Sequence, residues 1–250
     1  MGRVSAEPNA GVCFEARNLR IDSLATTVSC AAGWLDGLFD PSSDEASLVS
    51  IAIPSLASVL ALRQPTCVLR EVRIGRVIAD ILFASPSRMS PAPIEHLTAH
   101  ECAILSALRR LGHTRIDLLE RRAGLPHGGL RAGALDRLLE LKLLRRGRGG
   151  QVKASPQWAM RAQLVAIEAK LRRWRDALSQ AVEYKRFADK SYVLLPELHA
   201  EVAMRHLDAF EDSEVGLVVY GDYGVRVVLE TSVQRDHDWR REYVVSRVFQ

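Results

Sequence analysis

An acid and a base stand two positions apart at the end of an apolar run, in the stretch LVAIEAKL from Leu164 to Leu171. Side chains of a β-strand alternate between its two faces, so Glu168 and Lys170 project from one face and Ala169 from the other. Burying such a pair costs free energy unless each member has a partner or a task. Because a Glu-x-Lys pair is common on strands and surfaces, its meaning depends on what accompanies it.

Four further polar residues accompany the pair. Asp80 lies in the β-rich stretch GRVIADILFA, which is the second arm of a predicted hairpin. Gln180 and Tyr184 are four positions apart in a predicted helix, which places both on one helix face. Glu45 stands at the start of another predicted helix, where Ser42-x-x-Glu45 has the spacing of a capping box. For Glu45, a structural role in the cap and a role in a site both remain open.

The order of these groups resembles the PD-(D/E)XK nuclease superfamily. An acid-bearing helix is followed by a hairpin with an aspartate, a strand with Glu-x-Lys, and a helix with Gln-x-x-x-Tyr, the last being a motif of RecB-like members. The resemblance covers roughly residues 42–83 and 160–232. It implies an α/β fold, with a restriction endonuclease-like mixed sheet flanked by helices.

The resemblance also implies an activity, the hydrolysis of phosphodiester bonds in DNA by a metal-dependent endonuclease. A divalent cation, Mg²⁺ or Mn²⁺, would neutralise developing charge and lower the pKa of water. Its expected ligands are the carboxylates of Asp80 and Glu168 and the carbonyl of Ala169. Lys170 is expected to orient or deprotonate the attacking water and to stabilise the charge of the transition state.

The remaining site residues have supporting roles in this interpretation. Glu45 corresponds to the acid that many members contribute as an additional ligand. Gln180 and Tyr184 would position the substrate or the strand that carries the lysine, and Arg76 and Arg172 could hold phosphates.

The two acids of the proposed site, Asp80 and Glu168, are 88 positions apart, whereas the family keeps their strands close in sequence. The prediction therefore requires an insertion between two neighbouring strands, between the Ser/Pro-rich stretch SPSRMSPAPIE and the stretch SPQW. The predicted organisation has four parts, which are an N-terminal segment of uncertain structure (1–41), the first part of the core (42–90), the insertion (91–156) and the second part of the core (157–250).

The insertion resembles the winged helix-turn-helix superfamily by pattern rather than by an invariant motif. Thr98 and Glu101 form a predicted capping box for a helix that ends at Gly112, and Thr114 is predicted to cap a second helix, IDLLERRAG. A third helix, LRAGALDRLLELKLL, leads into two short β-like halves around an Arg/Gly tip. Helix, helix, turn, helix and basic hairpin is the order of a winged helix.

This basic segment predicts an anionic partner. Residues 95–155 hold twelve Lys or Arg against six Asp or Glu, although the whole chain has a net charge of only +4. A protein-binding winged helix is the alternative, but a cationic, glycine-rich tip favours DNA. The expected contacts come from the third helix in the major groove and from the wing on phosphates: Arg131, Arg137, Arg145, Arg146, Arg148 and Lys153.

Composition and motifs argue against several other classes of protein. The 250 residues hold four scattered cysteines without CxxC spacing, which argues against a zinc ribbon and for a reducing compartment. The chain shows neither a secretory signal nor an apolar run of membrane-spanning length, so we expect a cytoplasmic protein without a membrane partner. Phosphate-loop, Gly-x-Ser-x-Gly and Gly-x-Gly-x-x-Gly motifs are missing.

Two functions remain after these exclusions. The first is the nuclease, for which a homodimer would allow both strands to be cut. The second is a DNA-binding regulator that uses the nuclease-like core as a dimerisation or sensing scaffold. Near the C-terminus, the polar stretch QRDHDWRRE, with His237 and Trp239, is predicted to be a surface segment, and the sequence identifies no partner for it.

Overall fold

The computed structural model describes residues 17–21, 44–62, 66–86, 96–116, 118–119, 133–155 and 162–248. Within these ranges the chain has an α/β fold, in which a mixed seven-stranded sheet is flanked by helices and a three-stranded sheet lies in the long connection between two of its strands. The strands are β1 (Arg17–Ile21), β2 (Thr66–Ile74), β3 (Val77–Pro86), β4 (His113–Arg115), β5 (Leu144–Arg146), β6 (Gln151–Ala154), β7 (Ala162–Ala169), β8 (Lys190–Pro196), β9 (Gly216–Gly221) and β10 (Gly224–Leu229).

The large sheet has the order β1-β2-β3-β7-β8-β9-β10. Strands β7, β8 and β9 run parallel to one another, and the other neighbouring pairs are antiparallel. The predicted hairpin of β2 and β3 is confirmed, and Gly75 adopts a φ of +67° in its turn, a backbone conformation that glycine reaches without strain. The sheet is thus mixed, as the sequence predicts.

The helices cover both faces of this sheet. One cluster of buried residues joins the first helix to Ile81, Phe83 and Ile167, and a second cluster packs on the opposite face around Leu82 and Ala166. The described helices are α1 (Glu45–Val59), α2 (Ala99–Leu111), α3 (Ala134–Glu140), α4 (Trp174–Tyr184), α5 (Glu197–Met204), α6 (Leu207–Asp212) and α7 (Trp239–Val248).

Helix α1 begins one residue after its cap. The carboxylate of Asp44 accepts a hydrogen bond from the backbone N–H of Ser47 at 2.7 Å, so Asp44 is the N-cap and Glu45 is the first helical residue. Ser42, the cap suggested by the sequence, lies outside the described residues. Glu45 is therefore not the third residue of a capping box, and its side chain is available for another contact.

The long connection leaves and re-enters the sheet between neighbouring strands. Strands β3 and β7 pair in antiparallel register from Ile81 opposite Ile167 to Pro86 opposite Ala162. This pairing brings Asp80 beside Glu168, the relationship on which the sequence-based interpretation depends.

The described part of that connection contains α2, β4, α3, β5 and β6. The capping box of Thr98 and Glu101 is formed, and β4, β6 and β5 make a small antiparallel sheet. Thr114 lies in β4 rather than at a helix cap, and α3 is shorter than its sequence pattern suggested because residues 144–146 form a strand. Residue 117 and residues 120–132, which include most of the predicted second helix, lie outside the described residues.

The C-terminal helix anchors α2 to the rest of the protein. A guanidinium nitrogen of Arg109 donates to the carbonyl of His237 at 2.8 Å and lies 3.5 Å from the carboxylate of Glu242, while Arg247 donates to the carbonyl of Leu97 at 3.0 Å. His237 and Glu242 are buried, so the prediction of a surface segment is wrong for these residues. The stretch has the composition of a surface segment, but its buried polar groups are satisfied by tertiary contacts instead of by water. No helix in the described ranges combines the length and apolar character needed to cross a bilayer.

Candidate active site

The two acids meet at the end of the β3–β7 ladder. The last paired residues there are Ile81 and Ile167, and the register places Asp80 opposite Glu168 in the next position. Instead of extending the ladder, the carboxylate of Asp80 accepts a hydrogen bond from the backbone N–H of Ala169 at 2.8 Å. The Asp80 and Glu168 carboxyl groups lie within hydrogen-bonding reach of each other. Two carboxyl groups thus converge where two neighbouring strands separate.

Lys170 joins this pair to a helix from the other side of the sheet. Its ammonium lies 2.8 Å from Oε1 of Glu168 and 3.1 Å from Oε2 of Glu45. Only 12% of the Lys170 side chain and 1% of the Glu168 side chain are exposed. Since Glu45 is the first residue of α1, its contact with Lys170 brings that helix terminus to the site. Of the two interpretations left open for Glu45, the structure supports a contact within the site.

Tyr184 completes the cluster from helix α4. Its hydroxyl contacts the carbonyl of Ile78 at 2.6 Å and the carboxyl group of Glu168. The hydroxyl has one proton to donate, whereas a carbonyl oxygen and a carboxylate oxygen can only accept. Tyr184 therefore shares its one proton between the carbonyl of Ile78 and the carboxylate of Glu168. The hydrogen bond from this hydroxyl lowers the pKa of Glu168, as does the ammonium of Lys170.

Burial has the largest effect on the acids of the cluster. Burial, followed by the nearby charge of Asp80, raises the pKa of Glu168 to about 7, and burial also raises the pKa of Asp80. Burial alone would lower the pKa of Lys170, but Glu168 and Glu45 outweigh it and the pKa is raised, so the side chain stays an ammonium. Burial and the charge of Glu168 raise the pKa of Tyr184, so its hydroxyl stays protonated.

Two close carboxyl groups whose pKa values are raised form a favourable place for a cation. Mg²⁺ needs only one or two protein carboxylates because it retains several waters, and Asp80 and Glu168 fit that requirement. The described residues contain no group of three or more His, Cys, Asp or Glu side chains placed to hold a metal. Ala169 contributes its backbone N–H to the cluster. The carbonyl of Ala169 stays a predicted metal ligand.

The other residues predicted for this site lie around it. Gln180 is one turn before Tyr184 on α4, but its side chain is exposed and the described contacts of the cluster do not include it. Arg76 is exposed at the β2–β3 turn, and Arg172 is exposed two residues after Lys170. The predicted phosphate contacts of both arginines stay predictions.

The small sheet presents a row of basic side chains. Register pairs His113 with Lys153 and Lys153 with Arg145, so the three side chains lie side by side on one face, and all three are exposed. Like charges directly opposite each other on a sheet are unfavourable, and an anion placed between them would relieve this repulsion. Arg148 is exposed at the tip of the hairpin, and Arg146 is exposed with its guanidinium 3.4 Å from Asp136.

Arg137 does not face outward as the sequence suggested. Its guanidinium donates to both carboxylate oxygens of Glu101, at 2.8 and 2.7 Å, and to the carbonyl of His96 at 3.0 Å. Glu101 is buried at the start of α2, and a buried carboxylate needs such a partner. Arg137 thus forms a structural ion pair, and its predicted DNA contact stays a prediction. Arg131, the other contact predicted from the third helix, lies outside the described residues.

Comparison with protein-family models, curated proteins and solved structures finds no match for this chain. The geometry of the cluster and the basic row therefore carry the functional inference.

Proposed function

We propose that the protein is a metal-dependent nuclease of the PD-(D/E)XK type that hydrolyses phosphodiester bonds in DNA. The observation that carries this proposal is the convergence of Asp80, Glu168 and Lys170 in one partly buried cluster, although 88 positions of sequence separate the two acids. The mixed sheet flanked by helices is compatible with a restriction endonuclease-like core. A chance Glu-x-Lys pair on a strand would not be expected to meet a third charged residue of the same motif.

Each residue has a role that follows from its chemistry. Asp80 and Glu168 would hold Mg²⁺ or Mn²⁺, which when bound supplies positive charge for the phosphate and lowers the pKa of the attacking water. Lys170 stays protonated, so it acts by orienting the water and by stabilising the negative charge that develops on the phosphate, rather than as a base. Glu45 and Tyr184 are positioning residues, because they hold Lys170 and Glu168 in place.

We further propose that the segment between β3 and β7 is a winged helix that holds duplex DNA. The order α2, β4, α3, β5 and β6 with its three-stranded sheet supports this interpretation, as does the exposed row of His113, Lys153 and Arg145. Phosphates of a duplex would be the anions between these side chains.

Substituting Lys170 tests the nuclease proposal. Lys170→Met keeps the aliphatic stem and removes the ammonium, so we expect the rate of Mg²⁺- or Mn²⁺-dependent nicking of a supercoiled plasmid to fall by a factor of about 100 or more. Affinity for DNA in EDTA should stay within about twofold of the wild type. Lys185→Met is the matched control, because Lys185 forms its ion pair with Glu214 outside the cluster.

The second candidate function, a DNA-binding regulator without catalysis, is supported by the same basic row. It predicts that the wild-type protein binds duplex DNA but cuts no duplex, fork or single strand with either metal, and this result would overturn the nuclease proposal. Arg145→Glu with Arg148→Glu should weaken binding and reduce its salt dependence under both candidates. Unchanged binding by that double variant would argue against DNA capture by the hairpin.

A further inference from the structure

An open pocket lies directly beyond the strand that carries Glu168. It has a volume of about 490 Å³ and begins at Arg172, two residues after Lys170. Its walls come from the loop that follows β7, from the first turn of α4 and from α5. The pocket therefore lies next in the chain after the strand that carries Glu168 and Lys170.

Only some of the arginines that line the pocket form ion pairs with carboxylates. The two acids in its wall already have partners, since Asp176 lies 3.2 Å from Arg173 and Glu201 pairs with Arg205. Among the described ion pairs, Arg172 and Arg175 have no carboxylate partner. These two guanidinium groups are the ones that an anion entering the pocket would meet.

Arg175 is also held in place. Its guanidinium lies over the ring of Trp174, 4.4 Å from the ring centroid, and that ring stacks on His206 and Phe210 at 5.2 and 5.7 Å. Stacking fixes the plane of the guanidinium and leaves its edges free to donate hydrogen bonds. A guanidinium that is already ordered loses less entropy when it binds a phosphate.

Helix α5 contributes two exposed apolar side chains to the pocket, beside His199 and Glu201. Leu198 and Val202, one turn apart on α5, are 77% and 49% exposed. A pocket with both guanidinium groups and apolar side chains matches a nucleotide, whose phosphate is anionic and whose base has an apolar face. In a duplex the faces of the bases are covered by stacking, so only an unpaired nucleotide can contact both.

We infer that this pocket takes one unpaired nucleotide of the DNA substrate, with its phosphate between Arg172 and Arg175 and its base against Leu198 and Val202. The identity of the ligand as nucleic acid rests on the proposed function. The pocket thereby assigns a substrate class, which is DNA with a single-stranded segment beside the bond that is cut.

Binding measured in EDTA tests the inference without cleavage. Fluorescence anisotropy would compare labelled oligothymidine of about 12 nucleotides with a duplex of the same length at several salt concentrations. Arg172→Ala with Arg175→Ala should lower single-strand affinity about tenfold and reduce the slope of log K against log salt by about 0.7, the value for one phosphate contact with a single strand. The single variant Arg172→Ala should give about half of that change in slope.

Leu198→Ser should lower single-strand affinity about threefold, leave the salt slope unchanged and leave duplex affinity unchanged. Two exposed residues of the segment before α7 provide matched controls. Val233, which is 56% exposed, is changed to Ser, and Arg235 is changed to Ala, and neither change should affect binding.

Two results would overturn the inference. Either Leu198→Ser binds the single strand as tightly as the wild type, or the pocket variants weaken single-strand and duplex binding by the same factor. If the protein cuts DNA but shows one of these results, only the inference about the pocket is contradicted. If it shows the expected binding pattern but never cuts DNA, only the nuclease proposal is contradicted.

Discussion

The carboxylate of Asp80 accepts a hydrogen bond from the backbone N–H of Ala169 at 2.8 Å, although the two residues are 89 positions apart. This bond replaces the next rung of the β3–β7 ladder, so the side chain of Asp80 takes the place of a backbone partner at the strand end. The same contact orients one oxygen of a carboxyl group that lies beside Glu168. One hydrogen bond thus ends the β3–β7 ladder and also positions a carboxyl group of the site.

Asp80→Asn separates the charge of this residue from its structural role. The amide oxygen of Asn can still accept the N–H of Ala169, so we expect the fold to persist, and the loss of repulsion toward Glu168 should leave the melting temperature unchanged or higher. Affinity for Mn²⁺, measured by titration calorimetry, should fall at least about tenfold. Asp222→Asn, in the exposed β9–β10 turn, is the control. Wild-type affinity for Mn²⁺ in Asp80→Asn would show that this carboxylate is not a ligand.

Glu168 should make stability depend on pH in an unusual direction. Its pKa is raised from 4.5 to about 7 in the folded protein, so the folded state binds the proton more tightly than the unfolded state. The free energy of unfolding should therefore fall as pH rises from 4.5 to 7, and this cost is fully present above pH 7.

Glu168→Gln removes that cost. Its amide oxygen can accept the hydroxyl proton of Tyr184 as the carboxyl group does, and it does not titrate. We expect the variant to be more stable than the wild type at pH 8, by an amount on the order of 2 kcal/mol, and equally stable near pH 4.5. Urea unfolding at both values measures the difference. A constant difference between the two proteins across this range would contradict the assignment of the proton to Glu168.

Tyr184→Phe removes the hydroxyl that lies between Glu168 and the carbonyl of Ile78. Losing these hydrogen bonds should lower the free energy of unfolding by about 1–2 kcal/mol. Because Tyr184 acts by positioning Glu168, kcat should fall about tenfold while KM for DNA changes little. An equal loss in kcat and in DNA affinity would instead indicate direct contact with the substrate. Steady-state kinetics and urea unfolding of the same preparation separate the two effects.

His237 should make the protein sensitive to mild acid. Burial, followed by the charges of Arg241 and Arg109, lowers its pKa from 6.5 to about 4, so the neutral ring is the form that the folded state prefers. The resulting stabilisation is fully present above pH 6.5 and is lost as pH falls toward 4.

His237→Gln checks this effect, because Gln can donate to the carbonyl of Ala188 as the ring nitrogen does and does not titrate. We expect the wild type to lose on the order of 3 kcal/mol more than the variant between pH 7 and pH 4 in urea unfolding. Parallel pH profiles for the two proteins would show that another group is responsible.

Much of the sheet can be predicted from the sequence because its strands are short apolar runs bounded by turn residues. Strands β2 and β3 form the predicted hairpin, and β7 is the predicted strand that carries Glu168. The pairing of β3 with β7 was predicted from chemistry rather than from pattern. Asp80, Glu168 and Lys170 can form one site only if their strands are neighbours.

Other features depend on tertiary partners that no local pattern contains. Arg137 turns inward because Glu101 is buried, and Arg241 is buried because its guanidinium lies 3.1 Å from Asp189 and donates to two carbonyl groups. A polar stretch that is satisfied in this way has the composition of a surface.

The contact between α2 and α7 determines how the two parts of the protein can work together. Arg109 and Arg247 tie the segment that carries the basic row to the C-terminal helix, and the buried cores of both parts form one continuous cluster. In the proposed nuclease, packing instead of a loose tether would fix the distance between the phosphates bound by the basic row and the bond that is cut.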